Sequence, residues 1–188
     1  PKSNADLAFT MHMLSWLAVD GTAAIVEYPG ILYRGHAEAK IRQYLVENNY
    51  VDAVIQMPSN LFFGTTTDTC IIVLKKSKQD NSVLFLDASK QFVREGNKNK
   101  LSADNQEMIL ETLAKRVDVD HVAALIEAET IRENGFNLLV TSYVEAEDTR
   151  EEVDIVELNA RIKEIVERQS VLRASIDEIV ANLEDGAR

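Results

Sequence analysis

Four basic residues at short spacing, Lys90, Arg94, Lys98 and Lys100, stand in the polar stretch ASKQFVREGNKNKL, residues 88–101. Such a cluster can neutralise the phosphates of a nucleic-acid backbone, or it can be a solvated connector. Other chemistry is sparse. The three histidines lack metal-ligand spacing. His12 falls in an apolar helical pattern and reads as a satisfied structural residue, His36 as solvent-facing, and His121, among acidic residues, as surface. Cys70 opens the run CIIVL and reads as buried packing rather than a reactive thiol. A single cysteine excludes an internal disulfide and fits a reducing, cytoplasmic compartment. No nucleophile–base pair stands out, and no glycine-rich nucleotide loop is present.

The elements that would hold these residues follow from periodicity. Ser3 and Asp6 stand as N-cap and N3 of a helix carrying Leu7, Met11, Leu14 and Ala18, with Gly21 as its stop. AAIVEY (23–28) predicts a strand ended by Pro29-Gly30, residues 37–49 a helix, and VDAVIQ (51–56), TCIIVLK (69–75) and VLFLD (83–87) three further strands. The strand–helix–strand unit implies a right-handed parallel crossover. The later strands, close in sequence without helices, imply antiparallel pairing. The expected class is α/β, a mainly parallel sheet with an antiparallel edge. Helices are expected over 102–116 and 119–129, then a turn at Asn134-Gly135 and a charged linker over 145–152. The chain enters a helical pattern directly from Pro1 with no signal peptide. With half of a doubly wound sheet wanting, this reads as a piece of something longer. No apolar run is long enough to cross a membrane.

Charge divides the chain. Residues 1–100 hold 11 basic and 10 acidic residues, whereas residues 101–188 hold 9 and 21, so any contact with nucleic acid belongs to the first hundred. In the acidic remainder, Ile155, Leu158, Ile162, Ile165, Gln169, Leu172, Ile176, Ile179 and Leu183 alternate spacings of three and four. That is an a/d seam of about four heptads on a helix of roughly 45 Å. Gln169 is its one polar position, which can fix register, and Val166 and Val180 widen the stripe. Such a helix either docks on a partner as a coiled coil or folds back on its own domain.

Four stretches, taken together and in order, carry a resemblance. They are ADLAFTMHMLSWLAVDGTAAIVEYPGILYRG (5–35), EAKIRQYLVENNYVDAVIQMPSNLFFGTTTDTCIIVLKK (38–76), LFLDAS (84–89) and NGFNLLVTSYV (134–144). The chain resembles the C-terminal part of the modification subunits of Type I restriction–modification systems. The resemblance implies the second half of a Rossmann-like class I methyltransferase sheet over residues 1–100, a helical extension and linker over 101–152, and a coiled-coil helix over 153–188. It implies an adenine-specific DNA methyltransferase that takes methyl from S-adenosylmethionine and passes it to adenine N6 of a base flipped from the duplex. The implied partners are DNA, a specificity subunit, a second modification subunit and a motor-nuclease subunit. The alternative is an assembly module whose last helix docks on the specificity subunit.

The chain departs from the family in what it omits. Its prolines are Pro1, Pro29 and Pro58, so the catalytic Asn-Pro-Pro is absent, as is the cofactor loop, and the implied activity is incomplete here. By the same resemblance Phe62 and Phe63 look like the loop lining the target-base pocket, with one expected to face the core and one the site. Arg34, in the loop after the first strand, is expected either on DNA phosphate or the pocket, or in a salt bridge to Glu38. The sheet edge beside residues 23–28 is expected to lie open, where the absent half would join.

Overall fold

A computed structural model describes residues 5–147 and 155–185. It divides into two units between residues 147 and 148. In the first, α1 (Asp6–Trp16) leads to β1 (Thr22–Glu27), a 3-10 turn (Pro29–Leu32), α2 (His36–Glu47), β2 (Val51–Gln56), β3 (Cys70–Lys75) and β4 (Ser82–Asp87). A hairpin of β5 (Val93–Glu95) and β6 (Lys98–Lys100) follows, then α3 (Ala103–Lys115), β7 (Ala123–Glu127), α4 (Ala128–Glu133) and a 3-10 turn at Val140–Ser142. α5 (Ile155–Asp185) lies in the second unit.

Five strands form one mixed sheet in the order β1-β3-β2-β4-β7. β3 runs antiparallel to both β1 and β2, β2 and β4 are parallel, and β7 is antiparallel to β4. β1 and β2 thus point the same way, as the strand–helix–strand pattern implies, but they do not touch, because β3 lies between them. The expected antiparallel pairing holds for β2 with β3. It does not hold for β3 with β4, which lie on opposite sides of β2.

Burial explains the layering. One face of the sheet packs Val54, Ile72, Leu74 and Phe85 against Leu7 and Leu14 of α1, Leu45 and Val46 of α2 and Ile131 of α4. The other packs Ile55 and Leu86 against Ile109 of α3, with Leu113 beside Leu84. α3 starts where its sequence signal lies: Ser102 Oγ accepts the Asn105 amide and the Asn105 side chain accepts from Ser102 in return, a reciprocal cap. At α1, Ser3 lies outside the described residues, and the helix stops at Trp16, ahead of the expected Gly21. On the α3 face, Thr22, Ala24 and Val26 of β1 stay exposed, and the outer edge of β1 is unpaired among the described residues, as expected.

Three further sequence expectations are corrected. The sheet was expected to be parallel with an antiparallel edge; three of its four strand pairings are antiparallel, because β3 inserts between β1 and β2 and β7 closes the other side of β4. Residues 119–129 were expected as a helix. The structure has a turn over 119–122, the strand β7, and only then α4. Val83 to Leu86 of β4 are all buried, so that strand needs a pairing neighbour on its free side, and β7 supplies one over five residues. A short apolar run such as Val122–Ile126 carries no period that separates strand from helix. Residues 88–101 were expected as a connector and contain the β5–β6 hairpin. Its strands have three residues each and no apolar alternation, so the sequence gives little sign of it beyond Gly96, whose φ of +61° closes the turn.

A buried cation ties the layers together. Arg42, 2 % exposed on α2, donates Nε–H to the Phe136 carbonyl at 2.9 Å and Nη1–H to that of Ile31 at 2.8 Å. Replacing it orphans two carbonyls in the core. Arg42→Met is expected to lower unfolding free energy by about 2–4 kcal/mol in urea titration; a midpoint matching the parent would show that these bonds hold nothing.

Candidate functional site

β1, β2 and β4 run in one direction, so Glu27, Gln56 and Asp87 end on the same side of the sheet. Ligands of open α/β sheets bind outside those carboxyl ends. Three connections leave from this side: residues 28–35, 57–69 and 88–100.

In the first, Pro29 sets the φ of the 3-10 turn, while Ile31 and Leu32 bury into the core and anchor it. Tyr28 and Tyr33 are left exposed and line a cleft of ≈ 380 Å³ with Thr66, Thr67 and Asp68 of the second connection. Arg34 lies over Tyr28, its guanidinium carbon 5.4 Å from the ring centroid, with Nη1 3.9 Å from Glu38 Oε1. A Cβ on Gly30 would stand 2.7 Å from that guanidinium carbon, so glycine makes room for the stack. The Glu38 pairing anticipated for Arg34 is thus present, with a cation–π contact added.

The second connection carries the two phenylalanines. Phe62 is 44 % exposed and Phe63 is 101 % exposed. Neither is core, against the expectation that one would turn inward. The nearby Leu61 takes the inward place, packed against Ile55, Leu86 and Ile109.

The basic residues are placed differently from one another. Lys90 pairs with Glu147 at 3.8 Å and Lys100 with Glu95 at 3.1 Å, both with most of the side chain in solvent. Arg94 donates to the Gly96 carbonyl and, at 2.9 Å, to Asn99 Oδ1. Lys98 turns inward onto the second connection: Nζ donates to Asn60 Oδ1 at 2.8 Å, the Phe62 carbonyl at 2.9 Å and the Thr65 carbonyl at 2.7 Å. Sequence reading grouped these four as equals. It also passed over Tyr28 and Tyr33, whose only signal is aromatic residues flanking Pro-Gly at the end of a strand.

Beneath the site, Glu27 is buried and accepts the Thr10 hydroxyl at 2.9 Å. Burial raises its carboxyl above the usual range, outweighing the Thr10 bond that lowers it. Burial, with Glu27 adding to it, pushes the Cys70 thiol up to about 12, so this sulfur stays protonated and unreactive. Among the described residues no group of three acidic, histidine or cysteine side chains could hold a metal, and no helix is long and apolar enough to cross a membrane.

α5 belongs to the second unit. Ile155, Leu158, Ile162, Ile165, Gln169, Leu172, Ile176 and Ile179 are all exposed along it; the side chain of Leu183 lies outside what the structure describes.

Residues 1–152 match the family model described as N-6 DNA Methylase. The chain is 46 % identical over 184 residues to the Type I restriction enzyme MpnII methylase subunit of Mycoplasma pneumoniae, covering 97 % of this chain and 34 % of that protein. It is 29 % identical over 190 residues to the MjaVII methylase subunit of Methanocaldococcus jannaschii, covering 98 % of this chain and 32 % of the relative. Among solved structures, the type I restriction-modification methyltransferase subunit of Streptococcus thermophilus superposes with a TM-score of 0.76 at 42 % identity, over 77 % of this chain and 31 % of that one. The chain therefore spans about a third of the length of each of these relatives.

The Glu27 carboxyl gives a signed pH dependence. A folded carboxyl that holds its proton more tightly than the unfolded one costs stability as pH rises from the unfolded pKa through the folded one. Glu27→Gln removes that ionisation and is expected to gain stability relative to the parent at pH 7 compared with pH 4, measured by urea unfolding at both. An equal difference at the two pH values would contradict the assigned protonation.

Proposed function

We propose, from the premise that this chain belongs to the N-6 DNA methylase family, that it forms the C-terminal part of the modification subunit of a Type I restriction–modification enzyme acting on adenine N6 in DNA. The first unit, whose sheet runs past the boundary expected at residue 100 to include β7, would supply the second half of a Rossmann-like class I methyltransferase sheet, and residues 153–188 a coiled-coil helix. The observation that supports this best is the position of Phe63: an uncovered aromatic ring on a loop at the carboxyl ends of parallel strands, in a chain 46 % identical to a methylase subunit.

S-adenosylmethionine would supply the methyl group in the intact subunit. The residues described do not make a cradle for it. No two glycines are spaced G-x-G, the nearest pair, Gly30 and Gly35, is followed by His36 rather than Lys, Gly30 is filled by Arg34 and Tyr28, and Gly64, Gly96 and Gly135 are turn residues at positive φ. This chain alone, without Asn-Pro-Pro or that loop, would be inactive. Its own residues act on the other substrate. A flipped adenine offers a π face, and Phe62 or Phe63 stacks on it, with Tyr28 and Tyr33 along the adjoining cleft. Lys90, Arg94, Lys100 and Arg34 lie on the connections around that side and would meet the phosphate backbone.

A second role is favoured by the exposed seam of α5. A stripe of isoleucine and leucine this long costs solvation free energy while bare. We assign it to docking on the specificity subunit, beside a second modification subunit and the motor-nuclease subunit of the full complex, in the cytoplasm.

Two outcomes check these roles. Phe62→Ala/Phe63→Ala in the intact subunit is expected to cut kcat/KM for N6-adenine methylation about 5- to 150-fold, the range of one base–aromatic stack, while calorimetry shows unchanged cofactor affinity. Full activity in the double variant would remove the phenylalanines from the pocket. Ile162→Asp/Ile176→Asp places charge in the seam and is expected to abolish co-purification with the specificity subunit and leave cofactor binding intact. Persistent assembly would exclude the seam as the dock.

A further inference from the structure

The connection between β2 and β3 spans residues 57–69 and carries the exposed phenylalanines, yet it does little to hold itself. Its internal bonds are Met57 N–H to the Thr69 carbonyl and a small Thr65–Thr67 turn. Met57 and Leu61 pack into the core at its start, and its remaining hydrogen bonds come from the β5–β6 hairpin. Asn99, 6 % exposed, donates Nδ2–H to the Ser59 carbonyl at 2.9 Å and its backbone N–H to the Asn60 carbonyl at 3.1 Å. Asn60 Nδ2–H donates back to the Asn97 carbonyl at 2.7 Å. Lys98 completes the set with its three bonds to Asn60, Phe62 and Thr65.

We propose that Lys98 is a positioning residue for the target-base loop: its ammonium bridges the carbonyls of Phe62 and Thr65, which bracket Phe63-Gly64, and so holds the exposed ring where a flipped adenine arrives. This rests on the function proposed above. An ammonium has three N–H donors, and here all three go to acceptors on one loop. Among the described residues no carboxylate lies within ion-pair distance of it. Its charge is therefore directed at neutral oxygens, which it binds more strongly than an uncharged donor would. The bracketed pair needs the help: Gly64 sits at φ +77° and Phe63 makes no cover for itself. An unpinned loop would have to be ordered each time a base docks, and that ordering is subtracted from binding in the transition state. Asn60, at φ +58°, is the matching half of the clasp, accepting Lys98 and donating to the hairpin turn.

This role differs measurably from a phosphate contact by the same lysine. The experiment uses the intact subunit assembled with its specificity subunit, and a duplex bearing 2-aminopurine at the target adenine. Wild-type complex must first methylate adenine N6 in an unmodified duplex; if it does not, the proposed function fails before the clasp is at issue. Given that activity, Lys98→Met is expected to lower kcat and the 2-aminopurine fluorescence rise roughly 10- to 100-fold and severalfold respectively. Cofactor affinity, DNA affinity and the salt dependence of DNA binding are expected to stay at the wild-type values. Weaker DNA binding with a log–log salt slope reduced by about one would make Lys98 a phosphate contact and overturn the proposal. Wild-type turnover and fluorescence would overturn it as well. If Lys98→Met does not fold, Asn60→Gly, which keeps the positive φ and deletes the clasp from the other side, decides on the same readouts.

Discussion

The placement of β3 governs this unit. It enters antiparallel between β1 and β2, pairing with β1 from Thr22↔Lys75 to Glu27↔Cys70 and with β2 to Gln56↔Cys70. Cys70 thus stands level with the last residues of both parallel strands. That register puts the end of β1, the end of β2 and the start of β3 in one row. The connection 28–35 then starts beside the point where the connection 57–69 ends and enters β3, and the cleft shared by Tyr28, Tyr33 and Thr66–Asp68 follows.

The same register accounts for what is buried under the site. Glu27 and Cys70 are opposite one another, and the Cys70 thiol meets the Glu27 carbonyl at 3.5 Å. Neither group reaches solvent freely, and aromatic rings and cations stand exposed on the rim above them. The proposed contacts with a base and a backbone would use those rings and cations.

The sequence was legible where one physical signal dominated. β1 to β4 are apolar runs bounded by Pro, Gly, Asn or Asp, and they lie within a residue of expectation. The helix expected over 102–116 and the long last helix were equally plain. Legibility failed where an element exists because of a distant neighbour. β7 is a strand because buried β4 lacks a partner, and nothing within residues 119–129 records that. The β5–β6 hairpin is held by loop 59–65, some 35 residues earlier in the chain. Lys98 shows the consequence. In sequence it matches Lys90 and Lys100; in the fold its ammonium faces the loop while theirs face solvent and a carboxylate. The exposure of both phenylalanines was also missed, because Leu61 fills the inward position expected of one of them.

The central claim, that the connection between β2 and β3 meets the target base, can be examined without altering the protein. A duplex carrying 5-iodouracil in place of the target adenine is bound to the intact complex, irradiated, digested and sequenced by mass spectrometry. The cross-linked peptide is expected to contain residues 61–68, with Phe62 or Phe63 as the attached residue. Cross-links that fall on α3, α5 or another subunit, with none in that connection, would contradict it.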